Sequence, residues 1–213
     1  MVEENHLFDL SRVTKNFSEC LKDEKDALLR EYVSAYEELS KIFAMLGRIF
    51  GFVESDVVNK LTILSTCLQN KPETYSTVLT MIQYECGGSA KPIDQGSRTL
   101  LRLHRALNFI IQFVSGLMHG HCSGVSIHEI VKKAYDETLA NFHGFIIRKS
   151  VGLAVYGLPE RDQIIRKFFR IPECEEIPTE RIQSEAEKFH TVAFEVYNRI
   201  QIAYETNNIL DLP

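Results

Sequence analysis

The chain has 213 residues, of which 45% are apolar and 25% are charged, a composition typical of one compact globular domain. Asp and Glu outnumber Lys and Arg by 29 to 24, and the resulting net charge of -5 argues against a broad nucleic-acid-binding face. We therefore expect a single domain over residues 1–213, no nucleic-acid partner, and a cationic site only where charges cluster locally.

The N-terminus and the cysteines favour the cytosol. The first six residues, M-V-E-E-N-H, lack the charged and apolar regions of a signal peptide. Five cysteines with no C-x-x-C pair encode neither a disulfide framework nor a structural zinc site. The longest apolar stretch, 106–118, is shorter than the ~20 residues that a membrane span needs. We expect a soluble cytoplasmic protein.

Apolar residues recur at three- and four-residue intervals along most of the chain, which is the period of a buried helix face. The 11 glycines and 6 prolines occur mainly between these runs, where they indicate turns within one domain. The pattern predicts an all-α fold of eight or nine helices. They span residues 8–22, 26–48, 55–69, 73–86, 95–118, 126–141, 144–157, 160–169 and 179–206.

The fifth predicted helix carries a cationic stripe that becomes apolar along its length. At 100° per residue, Arg98, Arg102 and Arg105 fall within about 60° of one another. Phe109 and Phe113 continue the same stripe, and aliphatic residues cover the opposite side. We expect the second half of this helix to be buried.

The third predicted helix shows the same change of polarity. Asp56 and Lys60 lie one turn apart, and their face continues into Ile63, Leu64 and Cys67. Two such helices packed with their charged ends together would frame a pocket that is polar at its mouth and apolar in its depth. That shape suits an amphiphile with an anionic head.

Two magnitudes favour a phosphorylated lipid. The fifteen residues from Arg98 to Phe113 span ~22 Å of helix, on the order of the length of a long acyl chain. A phosphate monoester carries about -1.5 to -2 charges near neutral pH, which Lys60, Arg98 and Arg102 would neutralise even beside Asp56. Paired arginines favour phosphate over sugar, because their planar forks match its oxygens bidentately.

Two simpler interpretations stay open at this point. The Asp56–Lys60 spacing is also that of an ordinary exposed helix pair, worth ~0.3 to 0.5 kcal/mol. The arginine row is equally compatible with the solvated edge of an amphipathic helix. The same polarity change in two helices favours the pocket.

The motifs S-R-T-L-L-R-L-H-R-A-L at 97–107 and D-V-V-N-K at 56–60 resemble the glycolipid transfer protein superfamily, and in particular its branch that transfers ceramide-1-phosphate. The resemblance continues through N-F-H-G-F-I-I-R-K-S at 141–150 and ends with L-D-L-P at 210–213. It covers nearly the whole chain in order, apart from about the first 25 residues. It implies a two-layer all-α sandwich of about eight helices, with an expandable apolar cavity for lipid chains between the layers.

The resemblance also implies roles for five residues. Asp56 would accept a hydrogen bond from the amide N–H of ceramide, and His143 would donate to the carbonyl of that amide. Lys60, Arg98 and Arg102 would hold the phosphate. Glycolipid-transferring relatives have Asn at the place of Lys60 and Trp at the place of Arg102, which is a platform for sugar stacking. Because this chain contains no Trp, these replacements point to an anionic head group.

The family docks peripherally on membranes and moves one lipid between bilayers. Phe145, Ile146, Arg148 and Lys149 are candidates for the docking surface, with apolar side chains entering the interface and bases meeting anionic lipid heads. For Phe145, ordinary helix packing is an equally good explanation. The expected partners are ceramide-1-phosphate and, transiently, Golgi, plasma or other intracellular membranes, and the expected state is a monomer.

Some sequence features are also compatible with other functional classes. H-G-H-C at 119–122, with His128, offers metal ligands but no established zinc spacing, so we expect no metal and no cofactor. His104 lies about 120° from Arg102 on the helix, which favours a packing role. An enzyme acting on a phosphorylated lipid, with Asp56 or His143 as base or nucleophile, is one alternative. A helical adaptor with protein-binding grooves is another.

Overall fold

The computed structural model describes residues 8–21, 25–46, 50–87, 95–119 and 124–212. Within these ranges the regular structure is helical, and Leu28 and Thr77 form an isolated β-bridge. The α-helices are α1 (Leu10–Cys20), α2 (Leu29–Met45), α3 (Gly51–Asn70), α4 (Val78–Cys86), α5 (Gln95–His119), α6 (Ile127–Thr138), α7 (Phe145–Ala154), α8 (Arg161–Phe168) and α9 (Thr179–Thr206). Short 3₁₀ helices follow α6 and α7, at Ala140–Phe142 and Val155–Gly157.

The predicted all-α class is confirmed, and every predicted helix has an observed counterpart. The largest difference is the start of α4, which is Val78 rather than residue 73. Thr77 is extended there because its neighbours bond back to the segment before α2: the Val78 N–H donates to the Ala27 carbonyl at 3.0 Å. The Thr77 hydroxyl then accepts from the Thr80 N–H, which caps α4.

The helices build a two-layer sandwich in which α5 is central. Helices α1, α2, α3, α5 and α9 form a closed ring of packed neighbours, and α4 and α6 also pack on α5. None of the helices described is long and apolar enough to cross a membrane.

The apolar side of α5 fills the middle of the core, as its sequence predicts. Its buried side chains are Leu100, Leu101, Leu103, Leu107, Ile110, Ile111, Phe113, Val114 and Leu117. Phe109 is partly buried, and its ring lies parallel to that of Phe113 at 6.1 Å. Full burial of side chains of this size is worth about 1.5 to 3 kcal/mol each. The stripe therefore does run from charged to buried along one helix.

A buried carboxylate fixes the start of α5. Glu85 accepts from the N–H groups of Gly96 at 3.0 Å and Ser97 at 2.7 Å, and from the Tyr75 hydroxyl at 2.8 Å. The first N–H groups of a helix have no partner within it, and the positive end of the helix dipole favours an anion. A Cβ at Gly96 would lie 2.6 Å from Glu85 Oε1, so a larger residue here would displace this carboxylate. The backbone at Arg98, the residue after Ser97, is therefore held in place.

His104 takes the packing role that its position on α5 predicts. Its ring is buried, stacks on Tyr197 at 4.2 Å, and has Nε2 2.7 Å from Gln201 Oε1. Burial lowers the pKa of His104 to about 4, more than offsetting the hydrogen bond to Gln201. The ring is therefore neutral at physiological pH.

Candidate functional site

Asp56 and Lys60 form an ion pair on α3, but one with unequal exposure. The Lys60 Nζ donates to Asp56 Oδ2, and the side chains are 14% and 64% exposed respectively. In Lys132–Asp136, a pair with the same spacing on α6, the lysine is 66% exposed. Lys60 therefore does not belong to an ordinary solvated helix pair, because most of its side chain lies against protein.

The three arginines of α5 have different surroundings. Arg98 is half-buried, and its Nε is buried with no hydrogen-bond partner among the residues described. Arg102 is exposed. Arg105 donates from Nη2 to the Leu210 carbonyl at 2.7 Å. A buried guanidinium N–H without a partner is costly, so Arg98 is suited to receive an anionic acceptor.

The pKa of the Arg105 guanidinium is lowered, first by its burial and then by the charge of Arg102. The two cations therefore lie close enough to repel each other on one face of α5. An anion placed beside them would relieve that repulsion.

His143 lies in a bend between the 3₁₀ helix Ala140–Phe142 and α7. Its Nδ1 is 2.8 Å from the Tyr135 hydroxyl of α6. Burial lowers the pKa of His143, and the negative charge of Asp56 partly offsets that effect. The Asp56 carboxylate is therefore near enough to His143 to act on the charge of its imidazole. The Asp56 carboxylate can accept from an amide N–H, and a ring nitrogen of His143 can donate to an amide carbonyl. The two side chains together could therefore bind both sides of an amide group.

The structure thus brings some of the predicted site residues together. Asp56 pairs with Lys60 and acts electrostatically on His143, while α3 packs against α5. Arg98 and Arg102 lie on the α5 face predicted for them. That their side chains lie close to Lys60 stays a prediction, which the packing of α3 against α5 supports. Arg102 is exposed while Arg98 and Arg105 are half-buried, so the arginine row lies at the boundary between solvent and protein.

Two contacts were missed by the sequence reasoning. The Arg105 guanidinium lies 4.1 Å from the ring centroid of Phe142, and Tyr135 bonds to His143. The sequence could have pointed to Arg105, because this residue lies on the arginine stripe. Nothing in the sequence distinguished Tyr135, since a tyrosine on the buried face of a helix is usually part of the core.

The candidate docking residues lie on the exposed helix α7. Phe145 is 64% exposed and Ile146 79%, so the core-packing explanation for Phe145 is wrong. Arg148 and Lys149 are exposed beside them, and the Lys149 ammonium lies 4.7 Å from the Phe145 ring centroid. Apolar and cationic groups are thus interleaved on one surface, which stays a candidate for membrane contact.

The metal ligands considered in the sequence lie mostly outside the described residues. The side chains of 119–122 are among the residues not described. His128 is described, and its ring lies 5.4 Å from that of Tyr156. Among the residues that the structure covers, no group of three or more His, Cys, Asp or Glu side chains is arranged to hold a metal ion.

A surface groove runs between α2 and α3, and it is separate from the predicted site. Its lining includes Glu37, Ser40, Val58, Thr62 and Gln69, with none of the five predicted head-group residues.

The chain matches the family model for glycolipid transfer protein over residues 27–170, about two thirds of its length. The chain belongs to the glycolipid transfer protein family. The members of this family are transfer proteins. The alternative of a lipid-modifying enzyme is therefore not the functional class of this chain. It is a lipid-transfer protein with the all-α fold of this family.

Individual relatives are similar to this chain over nearly its whole length. Ceramide-1-phosphate transfer protein of Danio rerio is 33% identical over 215 residues, covering 97% of this chain and 98% of the relative. Mouse ceramide-1-phosphate transfer protein in its apo form is similar with a TM-score of 0.86 at 31% identity, covering 97% of this chain and 100% of that one. The human protein in complex with 2:0 ceramide-1-phosphate is similar with a TM-score of 0.84 at 28% identity, covering 97% of this chain and 99% of that one.

Proposed function

We propose that this member of the glycolipid transfer protein family carries ceramide-1-phosphate between membranes, one molecule at a time. Lys60, Arg98 and Arg102 hold the phosphate. The observation that carries this proposal is the environment of these cations: Lys60 is largely buried beside Asp56, and the buried Nε of Arg98 has no partner in the described chain. Relatives over nearly full length are ceramide-1-phosphate transfer proteins, which supports the same ligand here.

Asp56 and His143 select the sphingoid backbone. The Asp56 carboxylate accepts from the amide N–H, and a protonated ring nitrogen of His143 donates to the amide carbonyl. The electrostatic effect of Asp56 on His143 supports this arrangement, because it requires the two groups to be near each other. A glycerolipid has ester links without an N–H, and so leaves Asp56 without its donor.

The hydrocarbon chains enter the apolar interior along α5. The side chains there are closely packed, with Leu107 and Phe113 fully buried. The lipid chains therefore separate the layers as they enter, and the apolar surface that they cover offsets the cost. Docking of α7 through Phe145 and Ile146 brings the site to the membrane. We expect the protein to act as a cytosolic monomer.

A two-vesicle experiment tests the proposal. Donor vesicles contain fluorescent ceramide-1-phosphate and a non-transferable quencher, and acceptor vesicles are unlabelled. We expect fluorescence to rise with protein concentration, and much less transfer of matched galactosylceramide or phosphatidic acid. Native mass spectrometry then gives the stoichiometry, for which we expect one lipid per chain. Equal transfer of all three lipids, or none, would refute the head-group assignment.

The same material separates the remaining alternatives. Mass spectrometry of the recovered lipid would show a dephosphorylated product if the chain were an enzyme, whereas a carrier returns the lipid intact. A helical adaptor would extract no lipid stoichiometrically, because its apolar surfaces bind protein.

A further inference from the structure

We propose that Tyr135 is a positioning residue for His143, holding the imidazole so that Nε2–H donates to the amide carbonyl of the lipid. The assignment rests on the proposed transfer of ceramide-1-phosphate. It goes beyond the five head-group residues, because Tyr135 acts only through His143.

The geometry gives the Tyr135 hydroxyl a defined place. Tyr135 is buried on α6, its hydroxyl oxygen is 2.8 Å from His143 Nδ1, and the two ring centroids are 5.6 Å apart. His143 lies in extended backbone just after a 3₁₀ turn. Such a bend does not by itself fix the side-chain torsions, so the hydrogen bond from α6 determines where the imidazole points.

The protonation states limit His143 to two neutral tautomers. Burial is the main cause that raises the pKa of Tyr135, with Arg148 of α7 acting against it and Asp136 with it, so the phenol keeps its proton. His143 has a lowered pKa despite Asp56 of α3, so its ring is neutral near pH 7. A neutral imidazole has one donor and one acceptor. When Nδ1 accepts from Tyr135, the proton is on Nε2.

The opposite tautomer would not serve the proposed function. If Nδ1–H donated to the phenol oxygen, Nε2 would be an acceptor, and an acceptor facing a lipid carbonyl repels it. Without the hydroxyl both tautomers become accessible and the ring is free to turn. Because a phenol donates to an imidazole nitrogen more strongly than its oxygen accepts from an imidazole N–H, the hydroxyl favours the tautomer of His143 with the proton on Nε2 before the lipid arrives.

Tyr135→Phe tests this role, since it removes the hydroxyl and keeps the buried ring. We expect ceramide-1-phosphate transfer to fall on the order of 3- to 10-fold, the range expected for one lost neutral hydrogen bond. In a His143→Ala background the same substitution should have no further effect. A general packing defect would instead reduce transfer in both backgrounds.

The matched control is Tyr156→Phe. The Tyr156 ring also lies against a histidine, His128, at 5.4 Å and with the same 36° between rings as Tyr135 and His143. Tyr156 is exposed, and we expect its variant to transfer lipid as the wild type does.

A lipid-free measurement makes the assignment independent of the ligand. Long-range nitrogen–proton NMR of histidine-labelled protein distinguishes a protonated from an unprotonated ring nitrogen, and His143→Ala identifies the His143 signals. We expect Nε2–H alone in the wild type and a tautomer mixture in Tyr135→Phe. A wild type with Nδ1–H, or identical spectra for the two proteins, overturns the role of Tyr135. Absence of ceramide-1-phosphate transfer by the wild type overturns the proposed function instead.

Discussion

The guanidinium of Arg105 lies 4.1 Å from the ring centroid of Phe142, the residue directly before His143. The same guanidinium donates to the Leu210 carbonyl at 2.7 Å. One side chain thus joins α5, the turn that carries His143, and the segment after α9. Arg105 thus has protein partners, whereas the Arg98 Nε has none among the residues described, and we expect Arg98 and Arg102 to bind the ligand.

Arg105→Ala removes both of these contacts. We expect the free energy of unfolding to fall by about 1 to 3 kcal/mol, since a charged hydrogen bond and a cation–π contact are lost together. Urea unfolding followed by circular dichroism measures the change. Arg105→Lys keeps the charge but not the planar fork, so it should recover only part of the stability. Unchanged stability in Arg105→Ala would show that neither contact contributes.

Lys60→Ala and Arg102→Leu test the proposed phosphate site. We expect both to reduce ceramide-1-phosphate transfer to background, because each deletes a charge proposed to bind the phosphate. The far-ultraviolet circular dichroism should stay that of the wild type. Lys132→Ala is the matched control, as its lysine also pairs with an aspartate one helical turn away. Normal transfer by either site variant would contradict the head-group assignment.

Much of the fold and part of the site were predictable because helices have a fixed period. Arg98 and Arg102 share a stripe whatever lies around them, and the burial of Phe113 follows from the apolar second half of α5. The burial of Lys60 was not predictable, because it depends on how α3 packs against other helices. The Tyr135–His143 bond was not predictable either, since it depends on a bend between helices.

The exposed α7 surface leads to a prediction about membrane binding. Phe145→Ala with Ile146→Ala should weaken binding to vesicles by about 100-fold or more, because roughly 1.5 to 3 kcal/mol of transfer free energy is lost for each of the two side chains. Vesicle sedimentation measures the binding. Stability should change little, since both side chains are exposed.

Phe194→Ala provides the control for the docking variants. Phe194 is a similarly exposed aromatic residue, but it lies on α9, next to His190. Its variant should bind vesicles as the wild type does. If it weakened binding as much as the α7 variant, general surface hydrophobicity rather than α7 would explain the interaction.

His104 should make the stability of the protein depend on pH. Burial lowers its folded-state pKa to about 4, against 6.5 for an unperturbed histidine. Between these values the unfolded chain binds a proton that the folded chain does not, so stability falls as the pH falls through this window. The loss amounts to about 3 kcal/mol by pH 4, and it is absent above about pH 7. His104→Gln keeps a polar group near Gln201 but does not titrate. Urea unfolding at pH 7 and pH 4.5 should therefore give a smaller difference in the variant than in the wild type, and equal differences would show that His104 does not control this dependence.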